Sequence, residues 1–193
     1  ALLTGPPGCG KTLLLDMVRM GLDQTRYFNL NVSLAADAPE ELLYSMLSAL
    51  GESELSALRG QVLTAALHKR LDEWLGAVQS SGRYTVAFID DAHMLRDRKS
   101  LEAIRMILNP PPGAERSITL VLSGLEDLAS RIGRFTPLDE RIEMRAKIEL
   151  LTEDEATAYL LHRIEAAGGR RGVFTRKGAR ALAQAARLLP GAM

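Results

Sequence analysis

The sequence predicts an α/β fold: a five-stranded parallel sheet between helices, followed by a smaller helical unit. Three observations carry this. Segments of strand length recur at residues 2–4, 27–32, 84–89 and 118–122, the last two as apolar runs. Segments with apolar residues at helical spacing separate them. Beyond residue 151 the pattern is helical only. Strands alternating with helices build parallel sheets through right-handed crossovers.

In chain order, Leu2-Leu3-Thr4 reads as the end of a buried strand, and residues 5–10 as a loop rich in glycine and proline. Leu14, Leu15, Val18 and Leu22 predict a helix from Lys11 that buries this stripe. After the second strand, Pro39 opens a helix carrying Leu42, Leu43, Met46, Leu47 and Leu50, which Gly51 stops. Residues 63–78 form a longer amphipathic helix, broken by Ser81-Gly82. The third strand, 84–89, runs into two aspartates. A helix with Leu101, Ile104, Ile107 and Leu108 ends at Asn109-Pro110-Pro111-Pro112-Gly113. Strand 118–122 follows, then a short helix over 125–132. Apolar and charged residues then alternate from Arg141 to Leu150, the period of a half-exposed edge strand. Thr152 and Glu155 form a capping box before a helix over 156–166, and Thr175 starts another running to Leu189. The expected domains are a core over 1–151 and a helical subdomain over 152–193.

Composition bounds the function. Lys and Arg number 24 and Asp and Glu 24, so zero net charge removes a whole-domain electrostatic case for nucleic-acid binding. A local basic patch survives that argument, and Arg170-Arg171 with Arg176-Lys177 is one candidate. A single cysteine excludes an intrachain disulfide and a multi-cysteine metal site, and fits a reducing compartment. No apolar run reaches the ~18 residues of a membrane helix. The opening Ala1-Leu2-Leu3-Thr4, without an initiator Met or basic leader, is expected of an excised fragment.

Gly5-Pro6-Pro7-Gly8-Cys9-Gly10-Lys11-Thr12 fits G-x-x-x-x-G-K-[ST] in full, between an apolar strand and an amphipathic helix. In such a loop, backbone N–H groups converge on phosphate oxygens, and glycines leave room for that approach. The following helix directs its positive end at the phosphates. Lys11 is expected on the β- and γ-phosphates of ATP and Thr12 on Mg²⁺. Cys9 reads as a small tolerated residue; its alternative is a reactive thiol.

Val86-Ala87-Phe88-Ile89-Asp90-Asp91 ends a buried strand in adjacent anions, a conflict that a metal ion resolves. Asp90 is the expected Mg²⁺-side carboxylate and Asp91 the candidate base for the attacking water. The plain alternative is a strand-end turn in which Asp91 caps the next segment. His93 reads as a polar residue on the approach to the next helix, with a catalytic role as its alternative. Ser123, ending the fourth strand, either meets the γ-phosphate or attacking water or serves as a helix N-cap. Asn31 lies at the same sheet end and is a candidate to orient Asp91. Arg131, Arg134 and Arg141 are candidates for an arginine completing a neighbouring subunit's site, with Arg141 favoured because it begins the predicted edge strand.

These residues together resemble AAA+ P-loop ATPases, and more narrowly the ATPase domain of the general secretion pathway protein A (ExeA) type, grouped with transposition ATPases. The narrower likeness is carried by Pro39-Glu40-Glu41-Leu42-Leu43, Ile89-Asp90-Asp91-Ala92-His93, Leu122-Ser123-Gly124-Leu125-Glu126-Asp127-Leu128, Glu140-Arg141-Ile142, and Leu151-Thr152-Glu153-Asp154-Glu155-Ala156 through Tyr159, His162-Arg163 and Phe174-Thr175. The resemblance implies an ATP- and Mg²⁺-dependent ATPase acting as a homo-oligomer, with residues 152–193 as the start of a helical lid. It implies a cytoplasmic location, with any inner-membrane anchor of the parent outside this sequence, and a role in assembling a secretion complex. The alternatives are an ATP-dependent, DNA-binding regulator of transposition and a slow or non-hydrolysing nucleotide switch. The chain departs from the family pattern at three places. Asp91 replaces a usual Glu, Ser123-Gly124 a usual Gly-Gln, and Leu189-Pro190-Gly191 lacks the arginine of the family's G-x-P-R.

Overall fold

The computed structural model describes residues 1–32, 34, 38–51, 61–109, 118–170 and 172–193. The described chain divides into two compact units: Ala1–Thr4 with Thr12–Ala146, and Gly5–Lys11 with Lys147–Met193. Among the described residues no helix is long and apolar enough to cross a membrane.

The first unit holds the sheet. Its strands are β1 (Leu2–Thr4), β2 (Tyr27–Val32), β3 (Tyr84–Ile89) and β4 (Ile118–Gly124), with β5 (Arg145–Lys147) ending at the unit's edge. The order is β2-β3-β4-β1-β5, an all-parallel sheet. The helices are α1 (Lys11–Gly21), α2 (Pro39–Ala49), α3 (Gln61–Ser80), α4 (Arg98–Ile107), α5 (Glu126–Gly133) and the one-turn α6 (Thr136–Asp139). Strands β2 and β3 occupy the predicted residues: β3 is a mostly apolar run between Gly82 and the aspartates, whereas β2 alternates at its end, with Leu30 and Val32 buried and Asn31 exposed. Their inward side chains join Leu42, Leu43, Met46 and Leu47 of α2 and Leu67 and Leu71 of α3 in one core. Phe28 meets Trp74 edge-on at 4.8 Å, a geometry the aromatic quadrupoles favour.

Three expectations are corrected here. In α1 only Leu15 is buried among the apolar side chains, whereas Leu14 and Val18 are exposed along with Leu13, Met17 and Met20. The predicted edge strand shrinks to three residues, all exposed. Its first part is a turn: the N–H groups of Arg141 and Ile142 donate to Leu138 and Asp139 carbonyls, and Ile142 packs against the core. Arg141 therefore lies in the turn after α6 and does not begin a strand. The proline turn over 110–113 and Arg171 of the basic patch fall outside the described residues.

In the second unit, α7 (Glu153–Ala166) and α8 (Arg176–Ala185) pack through Ala156, Leu160, Ala179 and Ala183. The predicted capping box is formed: the Glu155 N–H donates to Thr152 Oγ1, and Thr152 N–H to Glu155 Oε2 at 2.8 Å. The N–H and then the hydroxyl of Thr152 hold the Glu155 carboxyl below the usual range. Helix α8 ends four residues earlier than its apolar pattern predicts. Arg187 and Leu188 adopt left-handed backbone, φ 54° and 61°, and turn the chain into Pro190–Ala192.

Candidate functional site

Gly5–Lys11 of the phosphate-loop motif belong to the second unit and Thr12 to the first. Gly8 and Gly10 both adopt positive φ, 75° and 98°, which side chains with a Cβ rarely tolerate. Gly5 is required for a different reason: a Cβ there would lie 2.7 Å from the Ile148 carbonyl oxygen and 2.8 Å from Cys9 Sγ. Cys9 is buried and fills that space. Lys11 is buried as well, at 7% exposure, and its ammonium donates to the Gly5 and Pro6 carbonyls at 3.1 and 2.9 Å and reaches Cys9 Sγ at 3.9 Å. The cation thus sits folded over the loop, held by neutral acceptors. A buried ammonium without an anion carries a large desolvation cost, which these two carbonyl acceptors offset in part.

The C-terminal turn closes on this loop. The Gly191 N–H donates to the Gly8 carbonyl at 2.9 Å. A Cβ on Gly191 would stand 3.0 Å from that oxygen and 3.1 Å from Gly8 Cα. This bond ties the Gly8 carbonyl to the C-terminal turn, while the next amide, Cys9 N–H, donates to the Pro6 carbonyl at 3.4 Å. Gly191→Ala is therefore expected to weaken ADP affinity about five- to tenfold, equivalent to roughly 1–1.4 kcal/mol, while Ala192→Ser leaves it unchanged. Titration with a fluorescent ADP analogue checks both.

The acidic pair lies in the first unit. Register aligns Ile89 with Leu122 and Leu3 with Ser123, so Asp90, Ser123 and Thr4 share one end of the sheet. Thr12 Oγ1 donates to Asp90 Oδ2 at 2.5 Å. A hydroxyl and a carboxylate are thereby preassembled as hard oxygen ligands. No group of three or more His, Cys, Asp or Glu side chains gathers as a metal site among the described residues. The Thr12–Asp90 donor set fits Mg²⁺, which binds through one or two carboxylates and completes its shell with water and phosphate oxygens.

Asp91 adopts left-handed backbone, φ 50° and ψ 31°, and its side chain makes no capping hydrogen bond. The capping alternative is thereby corrected: Asp91 points out, 70% exposed, with Oδ1 3.7 Å from His93 Nδ1. A left-handed non-glycine residue costs of order 1 kcal/mol, less for Asp than for most side chains. His93 Nδ1 is buried without a hydrogen-bond partner in this arrangement, and so is Ser123 Oγ. Ser123 lies inside β4 and α5 takes Leu125 as its N-cap, so the N-cap alternative for Ser123 is also corrected.

The arginines separate. Arg131 is committed internally: its guanidinium donates to the His93 and Leu95 carbonyls at 2.6 and 2.7 Å and to Asp127 at 3.0 Å. It braces the segment that follows Asp91, which corrects its candidacy as an arginine reaching another subunit. Arg141 is half-buried beside a cavity with Ile104, Leu108 and Ile142. Asn31 lines a shallow pocket with Glu41, Tyr44, Ser45 and Ser48. The bracing by Arg131 was not legible in the sequence, because two of its acceptors are backbone carbonyls.

Residues 1–132 match the model of a family described as AAA domain (AAA_22). No curated protein matches the sequence. Among solved structures, the chain is similar to the Aeropyrum pernix ORC2 protein in ADPNP–ADP complexes, with TM-score 0.69 and 15% identity over 99% of this chain and 60% of that one. It is similar to the Aeropyrum pernix ORC1 protein in complex with DNA, with TM-score 0.66 and 15% identity over 96% and 53%. A point variant of Thermotoga maritima RuvB gives TM-score 0.56 and 19% identity over 99% and 50%. At these identities the likeness shows the fold. The chain spans 50–60% of the length of these three structures.

Proposed function

The chain belongs to the AAA domain family, and from that premise we propose that it binds ATP with Mg²⁺, hydrolyses the γ-phosphate and works as an oligomer. The observation that carries this reading is the Thr12–Asp90 hydrogen bond, which joins the residue ending the phosphate-loop motif to the carboxylate that follows β3. Lys11 exchanges its loop carbonyls for phosphate oxygens, a charge-assisted and stronger pairing. Asp90 and Thr12 hold the metal. Asp91 takes the proton of the attacking water; for Arg141, which lies in the turn after α6, only the sequence candidacy for a neighbouring subunit's nucleotide remains. Bound Mg²⁺ supplies charge neutralisation on the β- and γ-phosphates. Ser123, wholly buried with its Oγ unpartnered at the same sheet end as Asp90, contacts the γ-phosphate or the attacking water.

The test is phosphate release from ATP by the purified chain, with Mg²⁺ and with the metal chelated. Turnover that requires the metal supports the proposal. Tight nucleotide binding with no turnover at any protein concentration overturns hydrolysis and leaves a nucleotide switch.

The narrower roles divide on evidence. Assembly of a secretion complex, and a cytoplasmic location with it, rests on the sequence motifs of residues 151–163 and 174–175. A DNA-linked role is supported by the similar fold of a protein solved in complex with DNA.

A further inference from the structure

Residues 91–95 form a tight turn at the end of β3. The Met94 N–H donates to the Asp91 carbonyl at 2.8 Å and the Leu95 N–H to the Ala92 carbonyl at 3.1 Å. Ala92 and Leu95 are wholly buried and anchor the turn in the core. Two further carbonyls of the turn, those of His93 and Leu95, accept from Arg131 of α5 at 2.6 and 2.7 Å. Asp127, one helical turn back, accepts from the same Nη2 that reaches His93. The Arg131 side chain is only 19% exposed.

A second contact comes from the strand before α5. A Cβ on Gly124, the last residue of β4, would lie 3.0 Å from the His93 nitrogen and 3.2 Å from His93 Cβ. The end of β4 therefore touches the backbone of the turn, and α5 holds it by hydrogen bonds.

This grip bears on the direction of the Asp91 carboxylate. The Asp91 side chain is exposed and makes no capping bond, so nothing on the carboxylate itself fixes it. Its direction follows from the left-handed backbone on which it sits. On one side that backbone is held by the Asp91 N–H, which donates to Asp90 Oδ1 at 2.9 Å. On the other side it is held through the His93 and Leu95 carbonyls. A guanidinium fork fixes two acceptors at a set spacing, which an ammonium cannot do. A misplacement of about 1 Å in a reacting group costs roughly 10²-fold in rate.

We propose that Arg131 is a positioning residue for hydrolysis: from α5 it fixes the turn after β3 and thereby aims the Asp91 carboxylate at the attacking water. The proposal rests on the reading of Asp91 as the base and deepens it by naming what holds that base. Arg131 acts through Asp91 and touches neither nucleotide nor water.

The experiment measures steady-state ATP turnover, ADP affinity and melting temperature for wild type, Arg131→Gln, Asp91→Asn and the double variant Asp91→Asn/Arg131→Gln. Arg131→Gln is expected to lower kcat about 10- to 100-fold, with KM and ADP affinity within about threefold of wild type. Arg131→Lys keeps the charge but grips one carbonyl, and is expected to recover part of that loss. In the Asp91→Asn background, Arg131→Gln is expected to lower the residual kcat by less than about twofold, because residues that act as one unit are not additive. If Arg131→Gln does not fold, Arg131→Lys in both backgrounds gives the same comparison. An arginine with a merely structural role lowers kcat by the same factor in both backgrounds, and that result overturns the proposal. So does wild-type kcat in Arg131→Gln when Asp91→Asn is inactive, which leaves the reading of Asp91 intact. Full turnover in Asp91→Asn overturns that reading, and wild type without turnover overturns hydrolysis; either takes the proposal with it.

Discussion

Replacing Lys11 by Ala is expected to lower MgATP affinity by about two orders of magnitude and to abolish turnover. In the structure the ammonium is buried and spends its donors on the Gly5 and Pro6 carbonyls. Those are neutral acceptors, and a bond from a charged donor to a neutral group gives way to one that joins two charges. Each charge-assisted hydrogen bond contributes roughly 1.5–3 kcal/mol, so the loss of one or two from the phosphates gives about 10- to 10³-fold or more in affinity. Folding is the competing explanation, because the same side chain ties the loop to itself. Lys11→Arg separates the two. Its guanidinium keeps the charge but is too large for a cation site whose nearest sulfur, Cys9 Sγ, is 3.9 Å away. It is expected to keep the melting temperature within a few degrees while still losing binding. Calorimetric titration with ADP and ATP, together with thermal melts, reads both quantities. Equal ATP affinity in wild type and Lys11→Ala would remove the phosphate-loop assignment.

What could be read from the sequence followed the range of the interaction involved. Strands β2 and β3 were legible to the residue: β3 because a short apolar run bounded by polar breakers has one way to be buried in a covered sheet, and edge strand β2 because Leu30 and Val32 alternate with Asn31. The capping box at Thr152 and Glu155 was legible because both partners lie within one helical turn. Failures came where partners are distant or are backbone. Alternation from Arg141 to Leu150 looked like one strand, yet its first residues are held in a turn by the Leu138 and Asp139 carbonyls. The apolar spacing of α8 continued to Leu189, but Arg187 and Leu188 leave the helix to bring Gly191 onto Gly8. No local propensity records that demand. The site shows the same division. The phosphate-loop motif and the Asp90-Asp91 pair could be picked out because each is written in contiguous residues. The commitment of Arg131 to three acceptors depends on how the turn after β3 meets α5.

Asp91→Asn is expected to slow ATP turnover by about 10²- to 10⁴-fold, the usual contribution of a positioned general base, while changing nucleotide affinity less than about threefold. Asparagine is the informative substitution. It tolerates left-handed backbone at the φ of 50° that Asp91 adopts, whereas alanine adds a conformational penalty of its own. The side chain is 70% exposed and caps nothing, so the fold does not depend on its charge. A loss of turnover then reports chemistry. Asp91→Glu extends the carboxylate by one methylene, to the residue the family resemblance implies, and is expected to keep turnover within about tenfold of wild type. His93 supplies the remaining discrimination. Its Nδ1 is buried, without a partner, and 3.7 Å from Asp91 Oδ1, so a small rotation of Asp91 creates a hydrogen bond that fixes the base. His93→Phe keeps an aromatic ring and removes that donor; a fall in kcat of about tenfold with KM unchanged is the expected outcome. Full turnover in Asp91→Asn would move the base to another residue, and the left-handed turn at Asp91 would then need a structural explanation alone.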